Sequence, residues 1–277
     1  MAKAGTPGAV SRPVLRQRNG RAEHARDLIA TEIPVAFVYN DIPFAVMMAT
    51  PDDIEDFAVG FSLGEGLIAN MHELAVEAVE TSLEGITLRL RIPVERVTLL
   101  ADRQRNLQGR SGCGLCGTVS IEAVLRPPLP VATDALIESA ALDRALRALH
   151  DRQPLNALTG ATHAAGWADA AGDLKLVRED VGRHNALDKL IGALVRAHCE
   201  PATGFAVITS RASYEMVMKA AQAGIPLLVA ISAPTALAIA LAESAALTLV
   251  GFARDDGHVV YSHPQRLLVN PTKASAA

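Results

Sequence analysis

From residue 134 to residue 262, short apolar runs alternate with stretches of helical period, and that order restricts the fold more than any other feature of the chain. A helix is expected over 134–150, where Leu136, Ile137, Leu142, Leu146 and Leu149 fall on roughly one face. Strands are expected at 161–169 and 174–179, a helix from near Asn185 to His198, and a strand at 205–209. Ser213 is placed to cap a helix that Gly224 ends. Strand 226–232, helix 235–244 and strands 247–252 and 258–262 follow. Strands alternating with helices predict a three-layer α/β domain with a largely parallel sheet. The run from Pro226 to Phe252 imitates a membrane span, but Pro234 and Glu243 interrupt it, so strand–helix–strand is the better reading.

The first half reads differently. Strands at 33–39 and 42–49 join at Asn40-Asp41, a hairpin turn pair. Asp52 and Glu55 are spaced as a capping box for a helix ending near Gly64 or Gly66. A second hairpin is expected over 74–82 and 86–92, then a short helix over 97–106. These elements make a smaller α+β domain over 31–126. It ends in a glycine-rich loop with two cysteines and a helix that Thr118 would cap. Pro127-Pro128-Leu129-Pro130 is a stiff linker, and the α/β domain covers 131–267. Residues 1–30 are expected as a flexible tail; Lys3, Arg12, Arg16 and Arg18 lie there among Gly and Pro, without the apolar run of a secretory signal. The cytoplasm is the expected compartment.

Half of the 277 residues are hydrophobic, enough to bury a substantial core. The net charge of −4 gives no general attraction to nucleic acid or to a membrane surface, and neither is an expected partner.

The loop Gly112-Cys113-Gly114-Leu115-Cys116-Gly117 carries the clearest chemistry. A thiolate is the nucleophilic form of cysteine, and a helix N-terminus or a nearby cation favours it. Arg110 and the expected helix at Thr118 supply both, and the glycines expose the sulfurs. A structural zinc site needs two further ligands, and no second cysteine pair exists, so no metal is expected. Cys199, the third cysteine, reads as a small packed hydrophobe.

Three further segments lie at strand ends, where open α/β sheets bind ligands. Arg183 and His184 could meet phosphate at a helix start, although a capped helix with a satisfied core histidine suits the same residues. Ser210 and Arg211 suit an anion as well, and plain capping by Ser213 suits them equally. Phe252 to Gly257 is by itself a turn, and Asp255 and Asp256 would repel phosphate.

Taken together, four segments resemble the formate dehydrogenase accessory sulfurtransferase family, FdhD. They are Arg110 to Gly117, Glu179 to Lys189, Thr209 to Glu215, and Gly251-Phe252 through Tyr261 to Pro264. The resemblance runs from about Glu32 to Leu267. It implies a cytidine-deaminase-like fold for the C-terminal domain. It also implies a sulfurtransferase that takes persulfide sulfur from a cysteine desulfurase. The sulfur passes to molybdenum in the bis-molybdopterin guanine dinucleotide cofactor, bound as a substrate, for use by formate dehydrogenase. By the same resemblance Cys113 carries the persulfide and Cys116 assists. Phe252, Ala253, Arg254, Asp255, Asp256 and Gly257 match the family's cofactor-binding segment, with Arg183, His184, Ser210 and Arg211 added from their positions. GDP or GTP should act as mimics, and a homodimer is expected. Two rivals remain: a zinc-dependent nucleobase deaminase and a chaperone that only holds the cofactor. The first needs a His-x-Glu, whereas His184 is followed by Asn185 and Ala186.

Overall fold

The computed structural model describes residues 8–98, 100, 128, 130–133, 135–254 and 257–268. Strands β1 (Ala9–Arg18) and β2 (Arg21–Ala30) come first, paired as an antiparallel hairpin. A flexible tail was the expectation here. The turn is Asn19-Gly20, both at positive φ, and such a pair closes a two-residue hairpin without splaying its strands.

Strands β3 (Ile33–Tyr39) and β4 (Ile42–Ala49) precede helix α1 (Ile54–Gly64) and strands β5 (Ala75–Thr81) and β6 (Ile86–Arg91). They form a four-stranded sheet in the order β4-β3-β6-β5, with β3 and β6 parallel. Alternation puts Val35, Phe37 and Tyr39 on one face, all fully buried. Helix α1 covers that face: the Phe37 ring lies 5.1 Å from Phe57 and 4.3 Å from Phe61. The expected capping box is not formed. Asp53, in the left-handed region, holds the N-cap position and makes no side-chain cap bond. Glu55 and Asp56 instead meet Arg196.

The remaining chain gives β7 (Ile137–Glu138), α2 (Ser139–Asp151), α3 (Pro154–Thr159), β8 (His163–Asp169), β9 (Leu174–Asp180) and α4 (Arg183–Arg196). Then come β10 (Gly204–Ile208), α5 (Tyr214–Gln222), β11 (Leu227–Ala230), α6 (Ala236–Ser244), β12 (Thr248–Arg254), β13 (Gly257–Ser262) and β14 (Leu267–Leu268). Six of these strands form one sheet in the order β13-β12-β11-β10-β8-β9. Only the β10–β11 and β11–β12 pairs are parallel; the β8–β10, β8–β9 and β12–β13 pairs are antiparallel. The sheet is therefore mixed where a largely parallel one was expected. The cause is connection length. β8–β9 and β12–β13 are joined by short turns, and a parallel pair needs a crossover.

Three layers result. Ala206, Ile208, Leu228 and Leu249 face Leu187, Leu190, Val217 and Leu241 of α4, α5 and α6. Phe205, Val207, Leu227 and Val250 face Leu142 and Leu149 of α2. β11 is buried on both faces, which is why its sequence is continuously apolar. Among the described residues no helix is long and apolar enough to cross a membrane.

The two halves meet along α1 and α4, whose backbones touch at glycines. A Cβ on Gly60 would run into the Asp188 carbonyl oxygen, and one on Gly192 into the Asp56 carbonyl oxygen. Neither neighbour is a flexible side-chain end. Gly192→Ala should thus separate the helices and cost about 1–3 kcal/mol or more, the range for overpacking a tight core. Urea unfolding checks this: an unchanged midpoint would mean that the helix crossing yields freely.

Candidate anion-binding edge of the six-stranded sheet

β9, β10, β11 and β12 all point the same way, and β8 runs against them. The C-terminal ends of those four strands and the N-terminal start of β8 therefore lie along one edge. Asp180 to His184, Thr162-His163, Thr209 to Ser213, Ile231-Ser232 and Phe252 share it. This is the edge at which open α/β sheets take ligands.

Each turn leaves the sheet for a chemical reason. Asp180, fully buried, accepts from the backbone N–H of Gly182 at 2.8 Å and from Asn185 Nδ2 at 3.0 Å. That clamp sets the chain to begin α4 at Arg183, so Arg183 and His184 stand at the positive end of a fourteen-residue helix. Thr209 ends β10 by using its side chain as a rung. Its Oγ1 accepts from Ala164 N at 2.9 Å, and its own N–H donates to Ala164 O at 3.0 Å. The next loop is held by Thr235 N–H donating to Ala212 O, and Phe252 N–H reaches Ser232 O at 3.2 Å.

These bonds bring two of the expected segments into contact. His184 Nε2 lies 3.4 Å from Glu215 Oε2, in the first turn of α5. His163 Nδ1 lies 3.5 Å from Thr209 Oγ1. Burial lowers the pKa of His163, and the nearby Arg183 guanidinium lowers it further against the pull of Asp180. The shift favours the uncharged imidazole, a hydrogen-bonding group beside the Arg183 cation. Ser213 occupies the N-cap of α5 yet makes no capping bond, and its Oγ is buried without a partner among the described residues. The plain-capping reading therefore fails at this serine.

The other expected residues divide. Arg211 is exposed, whereas Ser210 is buried and its hydroxyl donates to the Arg211 carbonyl oxygen at 3.1 Å. Phe252 is 43% exposed with φ at 50°, a strained conformation for an aromatic residue and one that turns its ring out of the strand. Ala253 is buried in the core on the α2 side, so its side chain faces away from any ligand. Arg254 is exposed and pairs with Gly257 at the head of the β12–β13 hairpin, so β12 runs past the expected strand end at 252. Asp255, Asp256, Cys113 and Cys116 lie outside the described residues.

Much of the Glu179–Lys189 segment serves the fold. Glu179 accepts from the N–H groups of Leu155 and Asn156 at the start of α3. Lys189 Nζ, fully buried, sits 2.7 Å from Asp180 Oδ2 and 2.9 Å from Thr50 O. Thr50 N–H donates to Asp180 Oδ2 at 3.0 Å, and Asn185 Nδ2 donates to Met48 O at 2.8 Å. The segment thus stitches the end of β4 to the turn before α4, leaving Arg183 and His184 toward the edge. His163 escaped the sequence reading. Its one signal is position, a histidine opening an otherwise apolar strand.

Comparison with known proteins places the chain in a family. A model of the FdhD/NarQ family matches residues 30–268. The chain is 67% identical over 262 residues to the sulfur carrier protein FdhD of Xanthomonas campestris pv. campestris (strain B100), covering 94% of this chain and 93% of the relative. It is 52% identical over 254 residues to the sulfur carrier protein FdhD of Cupriavidus necator, covering 92% and 88%. In three dimensions it is similar to the crystal structure of a candidate formate dehydrogenase accessory protein from Desulfotalea psychrophila. The TM-score is 0.73 and the identity 25%, over 95% of this chain and 100% of the other. With the match extending over nearly the whole of both folded halves, the chain belongs to the FdhD/NarQ family.

Proposed function

We propose that this protein is a cytoplasmic sulfurtransferase serving formate dehydrogenase. It accepts persulfide sulfur on Cys113 from a cysteine desulfurase. It then passes that sulfur to the bis-molybdopterin guanine dinucleotide cofactor, held as a substrate at the sheet edge. The name of its relatives, sulfur carrier protein, supports the sulfur role. The observation that carries the cofactor half is the shared edge. The helix starts at Arg183 and Tyr214, the exposed Arg211 and Arg254, and the outward Phe252 ring lie along it. Backbone N–H groups and guanidinium groups suit phosphates, and an exposed ring suits a nucleobase face. In this reading the C-terminal sheet is a deaminase-like core put to a different use. A nucleobase deaminase is disfavoured at its general acid/base position. The residue two beyond His184 is Ala186, which is buried and has no proton to move.

Guanine nucleotides test the cofactor half. A charge-assisted hydrogen bond to phosphate contributes about 1.5–3 kcal/mol. Arg183→Ala or Arg211→Ala should therefore weaken GDP binding about tenfold or more. Added salt should weaken it in the parent protein as well. Calorimetry decides the matter: unchanged GDP affinity in both variants would place the pocket elsewhere.

A further inference from the structure

A cleft of about 670 Å³ opens between the two halves, at the C-terminal ends of α4 and α5 and so away from the candidate anion-binding edge. Its walls are largely aliphatic: Leu63 and Ile68 come from the first half, and Ile191, Leu194, Val195 and Ala223 from the second. Lys219 also reaches it, but its ammonium donates to both Asp188 oxygens at 2.8 and 2.9 Å, and its side chain is 4% exposed. An anion therefore meets no available counter-ion on these walls, whereas apolar side chains suit them.

The chain leaves and re-enters the described fold at this cleft. Residues 101–127 lie outside the described residues. Ahead of them, Arg96 pairs with Glu73 at 2.8 Å, and Glu73 accepts from the Ala69 N–H at 2.9 Å. Ala69 and Met71 belong to the first-half wall. After them, the Val131 N–H donates to the Ala245 carbonyl oxygen at 2.8 Å, and Thr133 Oγ1 donates to the Ala202 carbonyl oxygen at 3.1 Å. Ala202 follows Pro201, which belongs to the second-half wall. One end of the intervening chain is thus tied to each wall. Its sequence supplies a matching face: Ile121, Val124 and Leu125 fall at i, i+3 and i+4, on one side of a helical turn. From Leu125 to Val131 the chain reaches at most roughly 22 Å. That apolar face is therefore confined to the neighbourhood of the Pro201 wall.

We propose that the cleft is the docking site of residues 118–125 of this same chain, with Ile121, Val124 and Leu125 laid against Leu194, Val195 and Ala223. The tethers select the occupant. With both flanks fixed to the walls, this stretch is present at an effective concentration that a separate partner has to compete with. Docking removes the aliphatic walls and the three side chains from water, and that is its driving force. It also anchors the C-terminal end of the cysteine loop, because Thr118 follows Cys116 by two residues.

Disulfide trapping on the full chain tests this. In a background of Cys113→Ala, Cys116→Ala and Cys199→Ala, Val124→Cys is combined with Val195→Cys or with Ala223→Cys. Mild oxidation of the dilute protein should close an intrachain disulfide in at least one combination, since the bond needs Cα atoms within about 7 Å. Ala123→Cys, on the opposite side of the helical turn, should react about tenfold more slowly with the same partners. Hydrogen exchange gives a second measurement that leaves the cleft walls unaltered. Amides over 121–125 should be protected in the parent protein. Ile121→Asp/Val124→Asp should remove that protection while α4 and α5 keep theirs. The absence of any intrachain disulfide, equal trapping at Ala123 and Val124, disulfides formed only between chains, or unprotected amides over 121–125 in the parent protein would each overturn the proposal.

Discussion

Lys189→Met should lower the stability of this protein by about 3–5 kcal/mol, the cost of removing one partner from a buried ion pair. The Lys189 ammonium is wholly enclosed, 2.7 Å from Asp180 Oδ2, 2.9 Å from Thr50 O and 5.8 Å from the centre of the Phe57 ring. Methionine fills the volume but supplies no charge. Asp180 is then a buried carboxylate whose remaining partners are the N–H groups of Thr50 and Gly182 and the Asn185 amide. Thr50 O loses a donor at the same stroke. Because Thr50 belongs to the first half of the chain and Lys189 to the second, the loss falls on the joint between them. Arg196→Ala is the contrasting case. Arg196 bridges Glu55 and Asp56, yet its side chain is 42% exposed, so solvent screening limits the loss to about 1 kcal/mol or less. Urea unfolding of both variants, with similar losses, would show that the enclosed pair is not the clasp.

A second enclosed pair follows the same logic. Lys219 donates to both Asp188 oxygens, at 2.8 and 2.9 Å, with Glu65 at 3.9 Å. Burial alone would lower the lysine pKa, but Asp188, Glu65 and Glu215 outweigh it and raise the pKa above the ordinary lysine value. A raised lysine pKa contributes stability that is present at neutral pH and is lost only as pH climbs through the folded value. The joint between the halves is therefore secured by two buried cations, and the candidate anion-binding edge is built directly upon one of them through Asp180.

This joint explains which parts of the molecule could be read from the sequence. β10, β11 and β12 were legible because a strand buried on both faces must be continuously apolar, and the helices between them because one face must be apolar. The roles of Asp180, Asn185, Asp188 and Lys189 were not legible. Their partners are Met48, Thr50 and Lys219, far away in the chain, and a polar residue beside a helix start suits a ligand as well as a backbone carbonyl. Strand direction was misjudged at β8 and β13 for a related reason. Apolar period identifies a strand, whereas only the length of the connection decides its sense. The β1–β2 hairpin escaped because arginines dominate its composition, although Asn19-Gly20 carried the turn signal. At the candidate site, Arg183 and His184 stand where the pattern put them, whereas Ala253 faces inward because β12 continues past 252 and its alternation continues with it.

Cys113→Ala should abolish sulfur transfer while leaving the fold intact. In the proposed step the Cys113 thiolate attacks the outer sulfur of the donor's persulfide. The donor's S–S bond breaks, its cysteine departs as a thiolate, and a new S–S bond carries the sulfur on Cys113. Alanine offers neither the nucleophile nor the bond. An ordinary thiol, with a pKa near 8.5, is only a few per cent thiolate at neutral pH, roughly 3%. Arg110, three residues away, is the sequence feature that would raise this fraction. Gly112, Gly114 and Gly117 leave few side chains in this stretch of sequence, so stability is expected to change by no more than about 0.5 kcal/mol. Cys116→Ala should keep the first transfer, because Cys113 still captures the sulfur, but slow its onward passage. Mass spectrometry after incubation with a cysteine desulfurase and cysteine resolves these steps. The parent protein and Cys116→Ala should each gain the mass of one sulfur atom, and Cys113→Ala should gain none. If Cys113→Ala gains the sulfur and still supports formate dehydrogenase activity, Cys116 or Cys199 is the carrier and the assignment of Cys113 is wrong.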